Sequence, residues 1–281
     1  VDDAGALATQ IVGISLVRNE ERFVRQALLN VADFCDRIVV ADHMSTDRTP
    51  EILAALSGEL DHLDVVRIVH SAESHAIVEA LAGTDTWVLA VDGDELYDPG
   101  PLARFREQLV AGGFDNVFRI RPAGLHCDDL NDDRSLASGY PSPPGRPLLG
   151  LLNLAAVTSW TGVKSQRLHG GNVVFRPGYG WDSWRHLGME FGWADSPLRD
   201  LHLCFLARSS HDAPGHTARG RPNLSETGRF RRDTLGSLER SVRRALRREH
   251  ANAERGSSWK WEKYRRGDRV TVDSSSFFVC S

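Results

Sequence analysis

No two of the four cysteines (Cys35, Cys127, Cys204, Cys280) stand in CxxC spacing, so neither a zinc site nor a disulfide framework is indicated. Thiols scattered in this way fit a reducing compartment and burial as free side chains. Long apolar runs are also lacking. The longest, Leu148 to Val157, has ten residues with Asn153 inside it, against the roughly 20 that a membrane-spanning helix needs. No signal peptide opens the chain, although an initiator Met is absent, and the cytoplasm is the expected compartment. Neither GxGxxG nor GxxxxGK(S/T) occurs, which removes the usual dinucleotide and P-loop readings. An excess of one charge is missing too. The net charge of −4 gives no whole-molecule attraction to nucleic acid or membrane. That small value hides an asymmetry: Arg219 to Glu249 holds ten arginines against four acids, leaving the rest of the chain near −10.

What is present suits one large α/β domain, or a domain with a sizeable extension. The 281 residues are 41% hydrophobic and 26% charged, enough for an ordinary core and unlike a disordered chain. Apolar, β-rich runs at Ile11–Val17, Ile38–Ala41, Val65–Val69, Thr86–Val91 and Val117–Ile120 predict strands. Between them lie helix signals. Phe23, Ala27, Leu28 and Val31 fall on one face, with Asn19 as the expected cap. Thr49-Pro50-Glu51 reads as a helix start, and further helices are expected at Ser74–Leu81 and after Asp98-Pro99-Gly100-Pro101. Strands separated by helices at this spacing imply an open, mostly parallel sheet flanked by helices.

Beyond residue 122 the pattern weakens. Cys127 to Pro147 is rich in Asp and Pro and is expected to be a long irregular loop, either a lid or a flexible insertion. Trp160 to Arg176 predicts two more strands, followed by an aromatic cluster of Trp181, Trp184, Phe191 and Trp193. Leu235, Leu238, Val242 and Leu246 make the Arg-rich segment an amphipathic helix, whose solvated face is expected to pack back on the domain. Three regions result: residues 1–122, residues 123–217, and a basic helix with tail over 218–281.

The chemistry concentrates at three strand ends: Val17-Arg18-Asn19-Glu20-Glu21, Asp42-His43-Met44-Ser45-Thr46-Asp47 and Asp92-Gly93-Asp94-Glu95. Open parallel sheets bind ligands at the carboxyl ends of their strands, so the three would line one crevice. Asp92 and Asp94, two apart on an extended segment, point the same way, and Gly93 lets backbone come close to a ligand. Two converging carboxylates repel unless a cation lies between them, and a hard divalent ion bridging to phosphate would supply it.

These segments resemble the family 2 glycosyltransferases of GT-A fold. Val39-Val40-Ala41-Asp42-His43-Met44-Ser45-Thr46-Asp47-Arg48-Thr49 is similar to that family's VVDDGSTDGT segment, with His43-Met44 in place of Asp-Gly. Leu16 to Glu20 resembles its opening xxNE strand, and Trp87 to Glu95 its W(I/V)xxxDxDE strand. The likeness spans about residues 11 to 120. It implies a nucleoside-diphosphate-sugar donor (UDP-, GDP- or TDP-linked) and a Mn²⁺ or Mg²⁺ ion. Val17 and Asn19 would border the nucleoside, Asp42 would accept from the base or ribose, Asp92 with Gly93 would lie near the ribose, and Asp94, with Asp92, would bind the metal.

The acceptor side is read from the second half. Glu190, or less favourably Asp195, is the candidate general base within the aromatic cluster, where ring faces suit sugar stacking. His202, on a strand of alternating polarity, is a candidate third metal ligand. A base at Glu190 implies inversion of the anomeric centre; His202 completing the metal shell, with no acid at the acceptor, would instead fit retention. Lys164 and Arg167 are weaker phosphate partners, and His169-Gly170-Gly171-Asn172 reads as a hairpin turn or a ligand approach. The acceptor is a glycan or small molecule. Nucleic acid is not expected, and contact with a membrane surface is not favoured. Two rivals share the sheet: a sugar-nucleotide nucleotidyltransferase, which should carry a Gly-rich phosphate loop after the first strand, and a nucleotide-binding protein without turnover.

Overall fold

The structure, a computed structural model, describes residues 9–142, 148–161, 168, 171–212 and 264–278. The first half runs β1 (Gln10–Val17), α1 (Val24–Ala32), β2 (Arg37–Asp42), α2 (Thr49–Glu59), β3 (Leu63–Arg67), α3 (His75–Leu81), β4 (Thr86–Asp92), β5 (Glu95–Tyr97) and α4 (Pro99–Val110). Then follow β6 (Arg119–Arg121), β7 (Ala123–Leu130), β8 (Leu136–Pro141), β9 (Leu151–Asn153), β10 (Val157–Thr161) and β11 (Asn172–Phe175). The described part ends with β12 (Trp184–His186), α5 (Leu187–Asp195), β13 (Arg199–His202) and β14 (Val270–Asp273).

Seven strands form one mixed sheet in the order β12-β6-β9-β4-β1-β2-β3. The four strands β4, β1, β2 and β3 are parallel neighbours, as the intervening helices require. Strand β9 runs against both β4 and β6, and β12 lies parallel to β6. Alternation along each strand separates two cores. Trp87, Leu89 and Val91 of β4 pack with α1, α2 and α4 on one face. Val88 and Ala90 pack with Val78 of α3 and with Trp160 on the other. Helices therefore cover both faces, and the fold is α/β of GT-A type.

A second sheet, ordered β14-β8-β7-β13-β5, stands against the first. Its presence corrects the expected irregular loop at 127–147. Strands β7 and β8 pair antiparallel through Cys127↔Gly139, and residues 143–147 lie outside the described part. The aspartates that argued against a strand are accommodated locally: Asp128, at the register shift between Cys127 and Asp129, accepts from Arg265 and Arg269, both at 3.0 Å, and Asp133 caps the turn at Ser135. The boundary at residue 122 does not divide the sheet either, because β9 and β12 enter it from beyond that point. Strands β10 and β11 pair antiparallel as expected. Lys164, Arg167, His169, Gly170 and the Arg-rich helix lie outside the described residues.

Local capping differs from the expectation at two helices: α2 begins at Thr49 behind Arg48 with no side-chain cap, so Thr49 is not its cap, and α1 departs further. Asn19 does not cap α1, which begins at Val24 behind Phe23 with no side-chain cap. Its backbone is instead left-handed, at φ 54°, a conformation that Asn tolerates better than most residues. The C-terminal turn at Ser275–Phe278 is tied in by Asn30, which donates to the carbonyls of Tyr97 at 2.8 Å and Phe277 at 2.9 Å. Those two buried acceptors would otherwise cost roughly 1–3 kcal/mol each.

Candidate active site

The three segments singled out above meet at the carboxyl edge of β1, β2 and β4. Strands β1 and β2 are in register at Val17↔Asp42, and β1 and β4 at Leu16↔Asp92, so their ends stop together. Val17 itself faces the core, fully buried, and its carbonyl accepts from His43 N at 2.9 Å. The left-handed turn at Asn19 aims its backbone N–H at Ser45 Oγ (2.9 Å) and lets Asn19 Oδ1 accept from Thr46 N (2.7 Å). Asp42 is buried, with Oδ1 accepting from Ser45 N at 3.0 Å. The first two strand ends are thus one hydrogen-bonded unit. Asp47 serves the start of α2: Oδ1 accepts from Thr49 N at 2.9 Å and Oδ2 from Ser209 Oγ at 2.6 Å. His43, the departure from the family segment, bonds Val69 O through Nε2 at 2.9 Å, and burial lowers its pKa.

Asp92-Gly93-Asp94 is not one extended strand. Strand β4 ends at Asp92 in the first sheet, and β5 starts at Glu95 in the second, so the tripeptide is the passage between sheets. Asp92 is half-buried, and its N–H donates to Glu95 Oε2 at 3.2 Å. Asp94 turns inward, only 2% exposed, and its carbonyl accepts from Leu203 N at 2.7 Å. A Cβ built on Gly93 would lie 2.7 Å from Glu20 Cγ and 2.8 Å from Glu20 Cβ. The glycine therefore admits Glu20 and the end of β1 against the passage. Gly93→Ala is expected to push Glu20 away, costing about 1–3 kcal/mol of stability. Urea denaturation reads this directly, and an unchanged midpoint would show that Glu20 yields at no cost.

Around Asp94 the tertiary structure gathers residues from distant segments. Arg208 Nη1 lies 2.7 Å from Asp94 Oδ2 and 2.8 Å from Glu20 Oε1. Burial works against the Arg208 charge, but Asp94 and Glu20 outweigh it and hold its pKa above the ordinary value. Residues 203–212 cross the ends of β1 and β2: Arg208 O accepts from Arg22 N at 3.0 Å, and Glu21 accepts from Ser210 N. The hydrogen bonds from Ser210 keep Glu21 ionised down to about pH 2, against a smaller opposing effect of burial.

His202 Nε2 stands 3.7 Å from Asp94 Oδ2. Strand β13 pairs His202 with His126 of β7, and the two Nδ1 atoms are 2.9 Å apart. One ring must donate and the other accept across that distance, which fixes the tautomers of the pair together. Tyr264 lies over His126 at 4.1 Å between ring centroids. Cys204 completes a buried His126–His202–Cys204 group whose potential ligand atoms lie within 4.8 Å of one another. Burial raises the Cys204 thiol well above its ordinary pKa, so it favours the neutral form. The donors at the crevice fit a hard divalent ion. Asp94 Oδ2 and His202 Nε2 are separated by a span that one ion with bonds of about 2.0–2.2 Å to each can bridge.

Behind this group Asp200 is fully buried, and neither carboxylate oxygen has a hydrogen-bond partner among the described residues. Burial drives its pKa up, and Glu95 is raised by its own burial and then by Asp200 and Asp94. Glu190 opens α5 and lies against Arg185, whose Nε is 3.1 Å from Oε2. Asp195 ends the same helix and is exposed. Arg208, His126, Asp200 and Cys204 went unassigned in the sequence reading. Only the alternation in Leu201-His202-Leu203-Cys204 hinted that Cys204 shares a face with His202.

Comparison with known proteins agrees with the frame these residues occupy. A TPR repeat-containing protein of Synechococcus elongatus is 34% identical over 231 residues, covering 71% of this chain and 52% of that protein. The chain thus spans about half the length of the curated relative it matches. Among solved structures, TarS of S. aureus in complex with UDP overlaps 44% of this chain and 38% of its own, at 20% identity and a TM-score of 0.34. A mannosyltransferase of Pyrobaculum calidifontis in complex with GDP-Man and Mn²⁺ overlaps 41% and 35%, at 18% identity and 0.33. Among the described residues no helix is long and apolar enough to cross a membrane. The family described as glycosyl transferase family 2 matches residues 14–160, a span that takes in all three strand ends and just over half of the sequence. The chain belongs to glycosyl transferase family 2.

Proposed function

We propose that the protein transfers a sugar from a nucleoside-diphosphate-sugar donor to a glycan or small-molecule acceptor, with Mn²⁺ or Mg²⁺ bound at the crevice. The observation that carries this reading is the meeting of Asp94 Oδ2 and His202 Nε2, 3.7 Å apart, at the edge where three family segments end. Asn19 and Asp42, with the backbone after Val17, border the nucleoside. Asp92 lies beside the ribose, and Gly93 holds the passage close to Glu20. Asp94 and His202 hold the metal, with Asp92 on its open side and His126 orienting His202 through the Nδ1 contact. Such an ion supplies positive charge for the diphosphate leaving group.

Arg208 shares Asp94 and offers a second positive charge to the same leaving group. Glu190 serves as the general base for the acceptor hydroxyl, with Arg185 holding it in place, and Asp195 is the alternative. Inversion is the outcome that follows from a base there. The buried free thiols Cys35, Cys127 and Cys204 favour a reducing compartment, hence the cytoplasm. Neither nucleic acid nor a membrane surface is assigned as a partner.

Calorimetry of the full chain with UDP, GDP and TDP in the presence of Mn²⁺, followed by hydrolysis assays on the matching sugar donors, tests the reading. Tight binding of one nucleotide and turnover of its donor is the expected result. Binding without turnover of any donor would leave a nucleotide-binding protein, and release of pyrophosphate from a nucleoside triphosphate would indicate nucleotidyl transfer. Glu190→Gln is expected to slow transfer by about 10²–10⁴-fold with donor binding unchanged. An unaltered rate would remove Glu190 as the base.

A further inference from the structure

The edge of the first sheet carries cationic side chains that have no counter-charge among the described residues. In β6, Arg119 and Arg121 point to one face, with Ile120 on the other in the core with Leu89. Strand β12 pairs Trp184 with Arg119 and His186 with Arg121, so all four share that face. The guanidinium of Arg121 lies 4.5 Å from the Trp184 ring centroid, and that of Arg119 lies 5.2 Å from the Trp181 ring. Aromatic stacking occupies the flat face of a guanidinium and uses none of its N–H groups, which all lie in the plane.

Three buried nitrogens there have no hydrogen-bond partner among the described residues: Arg119 Nε, Arg121 Nε and His186 Nε2. His186 is only 4% exposed. Its Nδ1 accepts from Met189 N at 3.3 Å, so the neutral ring carries its proton on Nε2 as an unused donor. Burial and the neighbouring Arg121 push Arg119 down to about 10, burial lowers Arg121, and burial followed by Arg121 lowers His186. Among the described residues no carboxylate offsets either arginine. Glu190, the acid that acts on His186 among the described residues, is already held by Arg185, which projects from the opposite face of β12. Buried donors of one sign with no acceptor are costly unless something anionic completes them.

We propose that Arg119, Arg121 and His186 form a binding site for an anionic group, a phosphate or carboxylate, carried by the acceptor. The word acceptor rests on the glycosyl-transfer reading above; the anion site itself does not. Position separates it from the donor diphosphate. Strand β9 lies between β6 and β4, so Arg121 stands two strand spacings from β4, about 10 Å. Strands β6 and β4 run the same way, because each is antiparallel to β9, and Arg121 ends β6 as Asp92 ends β4. Arg121 also shares the sheet face of Ala90 and, by alternation, of Asp92. The anion would therefore sit at the same edge and on the same face as the donor crevice, too far to be one of the two phosphates held at Asp94. A group there would anchor an acceptor whose hydroxyl reaches back toward the sugar. The guanidinium forks match phosphate and carboxylate oxygens.

The test titrates the ¹⁵N-labelled full chain with inorganic phosphate, with and without saturating UDP and Mg²⁺, following the arginine Nε–H resonances. Saturable shifts of Arg119 and Arg121, with equal phosphate affinity in both conditions, are expected. The double variant Arg119→Met, Arg121→Met should lose at least tenfold in phosphate affinity while UDP affinity changes less than twofold. Absence of saturable shifts in the parent protein, a result that needs no variant to fold, would overturn the site. Undiminished phosphate binding by a folded double variant would do the same. Displacement of phosphate by UDP and Mg²⁺ would assign the arginines to the donor diphosphate and overturn the acceptor assignment. Loss of UDP binding alone, with the phosphate shifts intact, would sink the glycosyl-transfer reading and uphold the anion site.

Discussion

Asp94→Asn is expected to abolish Mn²⁺-dependent nucleotide binding, weakening it by about 100-fold or more, at or beyond the upper end for residues that only support a metal ligand. Asn keeps the shape of the side chain and one acceptor for Arg208 but removes the negative charge a hard cation requires. Nucleotide titrations with and without Mn²⁺ measure the effect. Equal affinity and an equal Mn²⁺ dependence in the variant would remove Asp94 from the metal site and, with it, the central residue of the proposed function. Because the isostere retains packing, a thermal midpoint close to that of the parent separates loss of metal from loss of fold.

Arg208→Met is the second large effect, and it acts first on stability. The guanidinium is buried between Asp94 and Glu20, with Nη1 within 2.8 Å of both. Removing it leaves two carboxylates out of water without their cation, a change that costs about 3–5 kcal/mol for a buried pair. In a domain of this size that corresponds to a melting temperature lower by roughly 6–20 °C. Mn²⁺ should restore part of the loss, since an ion at Asp94 replaces the missing positive charge. Thermal denaturation with and without Mn²⁺ reads both halves. A drop of only a degree or two would mean that water already reaches the carboxylates. A large drop that Mn²⁺ leaves untouched would mean that no ion binds beside Asp94.

These two experiments bear on the same question from opposite sides. Arg208 and the proposed divalent ion would share the Asp94 carboxylate, which Arg208 already holds together with Glu20. Arg208 offsets only one of the two carboxylates it faces, so the proposed cation at Asp94 would balance the other.

Much of the frame was legible in the sequence. The runs that became β1, β2 and β4 are apolar on both faces, as strands buried in a parallel sheet must be, and their lengths are limited by the polar segments that end them. Register follows from that burial, because a slip by one residue would exchange the two cores on either side of β4. The three polar strand ends were therefore bound to arrive at one edge. Strands β7 and β8 were not legible, since Asp128, Asp133 and Pro141 are poor strand residues, accommodated here by a register shift, by the turn between the strands and by the end of β8. Asn19 looked like a cap from its place before an amphipathic helix; its left-handed backbone turned it toward Ser45 and Thr46 instead.

By itself, the sequence determined the parallel sheet, the order of its polar edges and the family to which the chain belongs, all of which depend on local periodicity and short motifs. Tertiary structure alone decided that Asp94 faces Arg208 and His202, that His126 backs His202, and that Arg119 and Arg121 stand without acids among the described residues. The physical reason is range. Strand formation and motif geometry are set within a few residues, whereas the charge balance of a buried site depends on which segments burial brings together, and Asp94 and Arg208 are 114 positions apart in the chain.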